Sequence, residues 1–475
     1  MFTPKKWAIL IVLLIILTRV VNLDGTARFT QDESSDLLRM EQNWKTKKIT
    51  LVGPISTDNT KVFGSLTYYM EMPFAAIFGF DPVGPVVGTA FWGIMTAILL
   101  LWLVAVTNRK LLPLLAVLLV IWFPLLESSR WAWNPHLIPF WVALGLVLIQ
   151  KKNKRLWHYL VIGGVFGLTI HHHYIALFST FSFCLVYGWE LYRRGDKKQM
   201  LILLAGYVAA LLPFVLFDLR HPPGLFFGKY LMGGITPHVD AALTLSLGVN
   251  RLLQSLYIAG FTLARRSGFA LVTLIMTGVI LILDIKSKRK FSWLLLPVLM
   301  QILPGIVLTN YETRYFLPGL GFYFYWLIQK RTGKALVCQK LLILVLICSS
   351  LTTVYRQLTR SDVQPSMKIL REVTKIIQNV NNQYNLKNNN ITTTNSPDSD
   401  LLALKYRDLL ALVNVPLRAA SEYDVSENLF VISTADSETV RTDQSVPLQI
   451  FKNAKLKGTY LTSQPSWVLY WLGYE

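Results

Sequence analysis

Apolar blocks recur through the first three quarters of this 475-residue chain, each closed by a short polar loop. A helix needs about 20 mainly apolar residues to cross the hydrocarbon core of a bilayer. Backbone in lipid must satisfy its own N–H and C=O groups, which for blocks of this length leaves the helix as the spanning form. The blocks fall at about 7–23, 84–106, 111–126, 133–150, 157–170, 174–192, 199–217, 269–285, 291–309, 315–329 and 335–354. The pattern predicts a mainly α, polytopic membrane protein with about 11 transmembrane helices. The first block opens with Lys5-Lys6 and lacks a small-residue cleavage pattern behind it, so it reads as a retained anchor.

Charge orients the chain. Of 47 Lys and Arg, 34 precede residue 356, against 15 of the 27 acidic residues. The segments 5–6, 109–110, 151–155, 193–198, 286–290 and 330–334 hold 19 of these basic residues, while the small loops 127–130 and 310–314 carry one each. Basic loops mark the cytoplasmic side, so the N-terminus is expected inside and the C-terminal part outside. Residues 65–80, with Pro73, read as a helix lying in the interface or partly re-entrant, and residues 251–264 as another interfacial helix. Basic runs separated by apolar spans do not make a nucleic-acid surface. Cys184, Cys338 and Cys348 lie in apolar blocks without metal-ligand spacing and read as buried small residues.

Two domains are expected: 1–355, with outer loops 24–83 and 218–268, and an extracytoplasmic α+β domain at 356–475. In the latter, 361–383 reads as an amphipathic helix through Met367, Ile369, Leu370, Val373, Ile376 and Ile377. The Asn, Thr and Ser-rich stretch 384–400 reads as a linker or long loop. Residues 401–413 read as helical, and 429–432 and 467–470 as strands.

The polar residues on the expected outer face are the candidates for chemistry. Asp32-Glu33, in the polar stretch 24–62, reads either as an acid–base pair or as a solvated acidic turn shared with Asp36 and Glu41. Arg130-Trp131-Ala132-Trp133-Asn134-Pro135-His136 fits an interfacial aromatic belt and a helix start, with Arg130 and His136 also suited to a phosphate. His171-His172-His173-Tyr174 stands in an apolar passage. Adjacent histidines on a helix diverge, so one of them lines a cavity or bonds across helices rather than all three sharing a metal. Arg220-His221 and Tyr311-Glu312-Thr313-Arg314-Tyr315 complete the set. Arginine there either forks onto phosphate oxygens or pairs with Glu312 to anchor helices.

As an ordered set these stretches resemble the polytopic glycosyltransferases related to protein O-mannosyltransferases and the lipid A aminoarabinose transferase, nearest to a poorly characterised bacterial branch. The resemblance covers about residues 5–355. It rests on Asp32-Glu33 early in the first outer loop, on Gly64-Ser65-Leu66-Thr67-Tyr68-Tyr69, where relatives often have proline at the place of Ser65, and on Trp133-Asn134-Pro135. It rests also on His171-His172-His173-Tyr174, where His171 stands for a usual glutamine, on Arg220-His221, and on Glu312-x-Arg314-Tyr315.

The resemblance implies a GT-C fold in a bacterial cytoplasmic membrane. It implies inverting transfer of a sugar from a polyprenyl monophosphate to a lipid, glycan or protein acceptor at the outer face. Asp32 would then be the general base with Glu33 in support, and Arg130, Arg220 and Arg314 would hold the donor phosphate. Tyr69, Asn134, His173, Tyr174, His221, Glu312 and Tyr315 would line the site. No cofactor is implied with certainty; a divalent metal near His173 is a feature of some relatives. Two rival readings stand beside this one. The first is a polymerase or ligase that takes a pyrophosphate-linked glycan. The second is a transporter or flippase, against which the polar groups gather at one face and no internal repeat is visible.

Overall fold

The computed structural model describes residues 4–55, 62–222, 224–226, 244–287, 290–308, 310–359, 365–396, 400–464 and 466–474. The chain forms two units. One comprises Met1–Val21, Thr50–Glu71 and Val87–Leu358; the other comprises Asn22–Ile49, Met72–Val86 and Thr359–Glu475.

The first unit is a helical membrane body. Among the described residues, three helices are long and apolar enough to cross a bilayer, namely Val83–Thr107, Ser267–Lys286 and Gly333–Thr359. Lys197–Ala209 and Leu212–Arg220 make a fourth if taken as one span bent by 45° at Pro213. Among the described residues, length and composition alone single out three to four spans of the about 11 expected. Several predicted blocks are interrupted by proline, which removes an N–H and clashes with the preceding turn. The block at 111–126 splits at Trp122, ahead of Pro124, into Leu112–Ile121 and Phe123–Ser128. The block at 291–309 becomes a 3-10 turn, the helix Leu296–Ile302 and a second 3-10 turn at Leu303–Ile306.

Ser267–Lys286 shows the lipid-facing pattern. It buries Ala270, Thr273, Ile280 and Asp284, while Leu271, Ile275 and Ile282 stay exposed. A wide apolar face left open on such a helix suits hydrocarbon and not water. Cys348 is likewise exposed on the Gly333–Thr359 helix and Cys338 half-buried, so only Cys184 is buried as the sequence suggested. Where helices meet, small residues let backbones touch. A Cβ on Gly163 would lie 1.9 Å from the Leu203 carbonyl oxygen, and one on Gly206 would lie 2.1 Å from that of Leu160.

The break at Trp122 leaves helical carbonyls to be satisfied by side chains. Arg19, fully buried on the Pro4–Val20 helix, takes them: Nη2 donates to Leu119 O at 2.8 Å and Nη1 to Val120 O at 3.2 Å. In return Arg130 caps the end of Pro4–Val20, donating to Thr18 O and Arg19 O at 3.1 Å and to Val21 O at 2.8 Å.

The expected interfacial helix at 65–80 is Leu66–Ile77, with Pro73 inside it; 251–264 belongs to a longer helix, Leu245–Ala264. A short antiparallel hairpin, β1 (Val52–Ile55) and β2 (Val62–Gly64), precedes Leu66–Ile77.

The second unit is α+β. Its four-stranded sheet has the order β3-β4-β6-β5, from β3 (Asn389–Thr394), β4 (Asn428–Ser433), β5 (Lys455–Leu461) and β6 (Val468–Gly473). β3 runs parallel to β4, and β6 antiparallel to both β4 and β5. Asn389–Thr394, within the stretch read as a linker or long loop, is therefore a strand. Its Asn and Thr side chains are buried because they have partners: Asn390 Nδ2 donates to Ala419 O and Ser426 Oγ, and Thr392 Oγ1 to Leu401 O. The amphipathic helix falls at Met367–Tyr384, with Ile369, Leu370, Val373, Ile377 and Val380 buried. Arg371 on it pairs with Asp24 and, at 3.3 Å, with Asp81.

The basic segment 330–334 is not wholly a solvated loop. Arg331 and Asp284 form a fully buried pair at 2.8 Å, and Arg331 Nη1 also donates to Trp326 O and Leu327 O. Removing one partner of such a pair strands a charge. Asp284→Ala should destabilise the membrane body by about 3–5 kcal/mol, read as a fall in thermal-unfolding midpoint in lipid nanodiscs. Replacing both residues by apolar ones of similar volume should recover most of the loss.

Candidate functional site

In the first unit the site grows from three loops fastened by one buried histidine. Trp141 Nε1 donates to His172 Nε2 at 2.9 Å, so that nitrogen is an acceptor and the proton sits on Nδ1. Nδ1 then donates to Thr67 Oγ1 at 2.8 Å. Asn134 Nδ2 donates to the His172 carbonyl. The element at 64–69, the Trp131–Asn134 turn and the histidine run are thereby locked together. His171 faces another way, stacked on Phe214 with centroids 4.3 Å apart and its Nε2 2.8 Å from Ala210 O.

The helix Leu156–His172 ends at His173, whose backbone is extended (φ −165°, ψ 132°). That turn carries the His173 ring out against Phe63 (5.0 Å) and Tyr315 (5.5 Å). Tyr174 packs on Phe63 at 5.4 Å and donates its hydroxyl to Val62 O. Gln301, buried, ties the same region to the next helix: its Nε2 donates to Ile175 O at 3.1 Å and Tyr315 O at 2.6 Å.

Arg314 lies in the first turn of the helix Thr313–Leu327. Its guanidinium sits 4.7 Å over the Trp133 ring and 5.1 Å from that of Tyr315, and donates to Glu312 Oε1 at 2.9 Å. Trp133 is stacked in turn on Trp131 at 4.5 Å, with His136 edge-on to both. The structure thus brings together Trp133, Asn134, His173, Tyr174, Glu312, Arg314 and Tyr315 from three distant stretches. A cation held on aromatic faces at a helix N-terminus is an anion receptor in form.

The remaining predicted residues are placed differently. Arg130 is 1% exposed and both its terminal nitrogens cap the Pro4–Val20 helix, which favours a capping role over phosphate binding. Tyr69 pins Thr50, accepting from its N–H at 2.9 Å and donating to its carbonyl at 2.8 Å. Arg220 and His221 are exposed at the end of Leu212–Arg220. An aromatic ladder joins His221 to Tyr174, through Phe214 (6.3 Å), Phe226 (4.6 Å), Phe217 (5.3 Å) and His221 itself (4.4 Å). Among the described residues no group of three or more His, Cys, Asp or Glu side chains is arranged to hold a metal ion. The broad cleft of about 920 Å³ between Trp189, Arg193, Arg194, Trp293 and Tyr325 includes none of the predicted residues.

In the second unit, Asp32 and Glu33 start a helix, Gln31–Lys45, inside what read as a polar loop. Glu33 closes a capping box: its Oε2 accepts from Thr30 N at 2.5 Å and Thr30 Oγ1 at 2.6 Å. That gives Glu33 a task in starting the helix that carries Asp32. Thr30-x-x-Glu33 was a readable sign of this helix. Ser34 and Ser35 donate to Asp408 Oδ2 at 2.6 and 2.9 Å, fixing Gln31–Lys45 on the helix Leu404–Leu412. Burial pushes the Asp408 carboxyl up from its ordinary value, against the two serine hydroxyls and Arg39.

A raised folded-state value means that Asp408 favours the docked helix below pH 3.8 and loses that contribution as pH climbs through the raised value. The hydrogen-exchange protection of residues 31–45, corrected for intrinsic exchange, should fall over that window in the wild type. In Asp408→Asn, which keeps one acceptor, this part of the pH dependence should vanish.

No protein-family model matches this chain, and no curated protein matches it in sequence. Solved structures do. The chain is similar to ArnT from Cupriavidus metallidurans in the apo state, with a TM-score of 0.57 at 9% identity, covering 98% of both chains. The same protein bound to undecaprenyl phosphate gives 0.51 at 9% identity, over 99% of this chain and 98% of that one. At this identity the likeness establishes the fold, that of a mainly α, polytopic membrane protein.

Proposed function

We propose that the protein is a GT-C glycosyltransferase. In this reading it moves a sugar, with inversion, from a polyprenyl monophosphate to a lipid, glycan or protein acceptor at the outer face of the cytoplasmic membrane. Residues 1–355 form the catalytic membrane domain, N-terminus inside and with about 11 crossings, several of them built from proline-broken helices. Residues 356–475 form the outer domain. The observation that carries the reading is Arg314, held over Trp133 and Tyr315 at a helix N-terminus. The fold shared with ArnT along nearly the whole of both chains supports it, as does the capture of that protein with undecaprenyl phosphate.

The reaction requires little of the donor site beyond charge stabilisation. The acceptor oxygen attacks the anomeric carbon while the bond from that carbon to the phosphate oxygen breaks. The leaving polyprenyl phosphate gains negative charge, which Arg314 and the N–H groups of the Thr313–Leu327 first turn stabilise. Arg220, next to His221 at the end of the aromatic ladder, serves the same anion. Asp32 takes the acceptor proton as the new bond forms. His173, Tyr174 and Tyr315 supply ring faces to the sugar, and Asn134 holds their loop. The prenyl tail stays in hydrocarbon. A divalent metal near His173 is not needed for this scheme.

Purified protein in nanodiscs should transfer sugar from one of a panel of polyprenyl-monophosphate hexoses and pentoses. Asp32→Asn should lower turnover about 10²–10⁴-fold, and Arg314→Ala about 10²–10³-fold, both without loss of membrane insertion. Turnover with pyrophosphate-linked glycans alone would replace the donor assignment by the polymerase reading. Vesicle uptake without sugar transfer would replace the enzyme by a transporter, and wild-type turnover in Asp32→Asn would remove Asp32 from the base role.

A further inference from the structure

The second unit carries a cleft that the proposed reaction does not use. It lies at the end of the sheet where β4 begins and β6 ends, and encloses about 520 Å³, within the range of small-molecule sites. Its lining is aromatic and polar, with Leu386 as its one aliphatic residue among those described.

The walls are organised in advance of any ligand. Trp471 forms the floor: it is 7% exposed and its indole N–H donates to Asn428 Oδ1 at 3.0 Å. The Asn428 amide is oriented by its other end, Nδ2 donating to the Lys387 carbonyl at 3.1 Å. Tyr384 leans over the indole, centroids 5.1 Å apart and planes at 48°, yet keeps 53% of its surface open. Tyr474, 43% exposed, is anchored through its hydroxyl to Ile450 O at 2.6 Å. Glu427 is steadied by Asn388 Nδ2 at 2.7 Å. Lys457 crosses Gly473 so closely that a Cβ there would lie 3.3 Å from Lys457 Cγ.

Aromatic faces held rigid in water forgo the burial that drives such side chains inward. Their natural ligand has an apolar face and bears polar groups at its rim. A pyranose ring answers to that description. Its axial C–H groups cover an aromatic face, its hydroxyls donate to a carboxylate, and its ring and glycosidic oxygens accept from ammonium and amide groups. We propose that this cleft binds a pyranose unit of a glycan, with Tyr384 and Tyr474 against the ring, Glu427 accepting from its hydroxyls and Lys457 donating to its oxygens. Two lysines beside one glutamate also suit a sugar that carries a carboxylate. The site stands apart from the reaction proposed above and does not depend on it.

The test is saturation-transfer NMR on the full-length protein in lipid nanodiscs, free of sugar-based detergent. The probes are chitotetraose, mannotetraose and a galacturonate trisaccharide, with adenosine monophosphate as an aromatic control. Saturation should reach the ring protons of at least one oligosaccharide. Tyr384→Ala and Glu427→Gln, both on the exposed rim, should each weaken that binding about tenfold while the unfolding midpoint stays unchanged. Silence from all three sugars, sugar signals that survive both substitutions, or transfer to the nucleotide alone would overturn the proposal.

Discussion

A proline in a membrane helix strands carbonyls where water cannot reach them, and the first unit answers with two guanidiniums. Pro124 ends the continuity of the 111–126 block, and Arg19 takes the Leu119 and Val120 carbonyls. Arg130, just past the same block, takes the carbonyls at the end of the helix that carries Arg19. Each charge is desolvated, which is costly unless several dipoles face it. The exchange binds the first helix to the broken one, and it sets where the chain leaves Arg130. The next residues are Trp131-Ala132-Trp133-Asn134, so the capping of one helix decides where Trp133 stands to receive Arg314.

The histidine run repeats this logic on a smaller scale. Three neighbouring imidazoles take three directions, because successive residues on a helix are about 100° apart. His171 packs toward Phe214, His172 fastens Thr67 to Trp141, and His173 escapes only because the helix ends there. A neutral His172 bonded at both nitrogens is a structural joint, and its rigidity is what fixes the ring of its neighbour against Tyr315.

Much of this was legible beforehand, and the gaps have physical causes. Block lengths and basic loops revealed a polytopic helical protein, but the breaks ahead of Pro124, Pro213, Pro297 and Pro304 were not read, because those blocks stay apolar straight through their prolines. The exchange of caps could not be read, since Arg19, which heals the first break, and Arg130, which caps the helix of Arg19, are distant in sequence and each looks like an ordinary end-of-helix charge. The grouping of 131–136, 171–174 and 311–315 was legible only as an ordered set; Phe63, Trp141 and Gln301, which hold it, carry no local signal. β3 was missed because Asn and Thr favour turns when their side chains bond locally, whereas here those side chains bond to the helix and loop beside the sheet. β5 was missed because its exposed lysines are what an edge strand uses to stay soluble.

Arg130 and Arg314 are the same residue type at comparable loop positions, and burial separates their capacities. Arg130 is 1% exposed with its terminal nitrogens committed to three carbonyls, so drawing it to a ligand would undo a helix end. The Arg314 side chain is 28% exposed and its Glu312 partner 48%. An ion pair so open to water contributes about 0–1 kcal/mol, little enough for a phosphate to displace it. The Trp133 and Tyr315 faces remain in place during that exchange and keep the guanidinium aimed, because they attract it through ring electrostatics that a bound anion does not consume. A weak, replaceable carboxylate beside a firmly seated cation suits the role proposed for Arg314, that of binding a charged lipid, letting its charge grow as a bond breaks, and then releasing it.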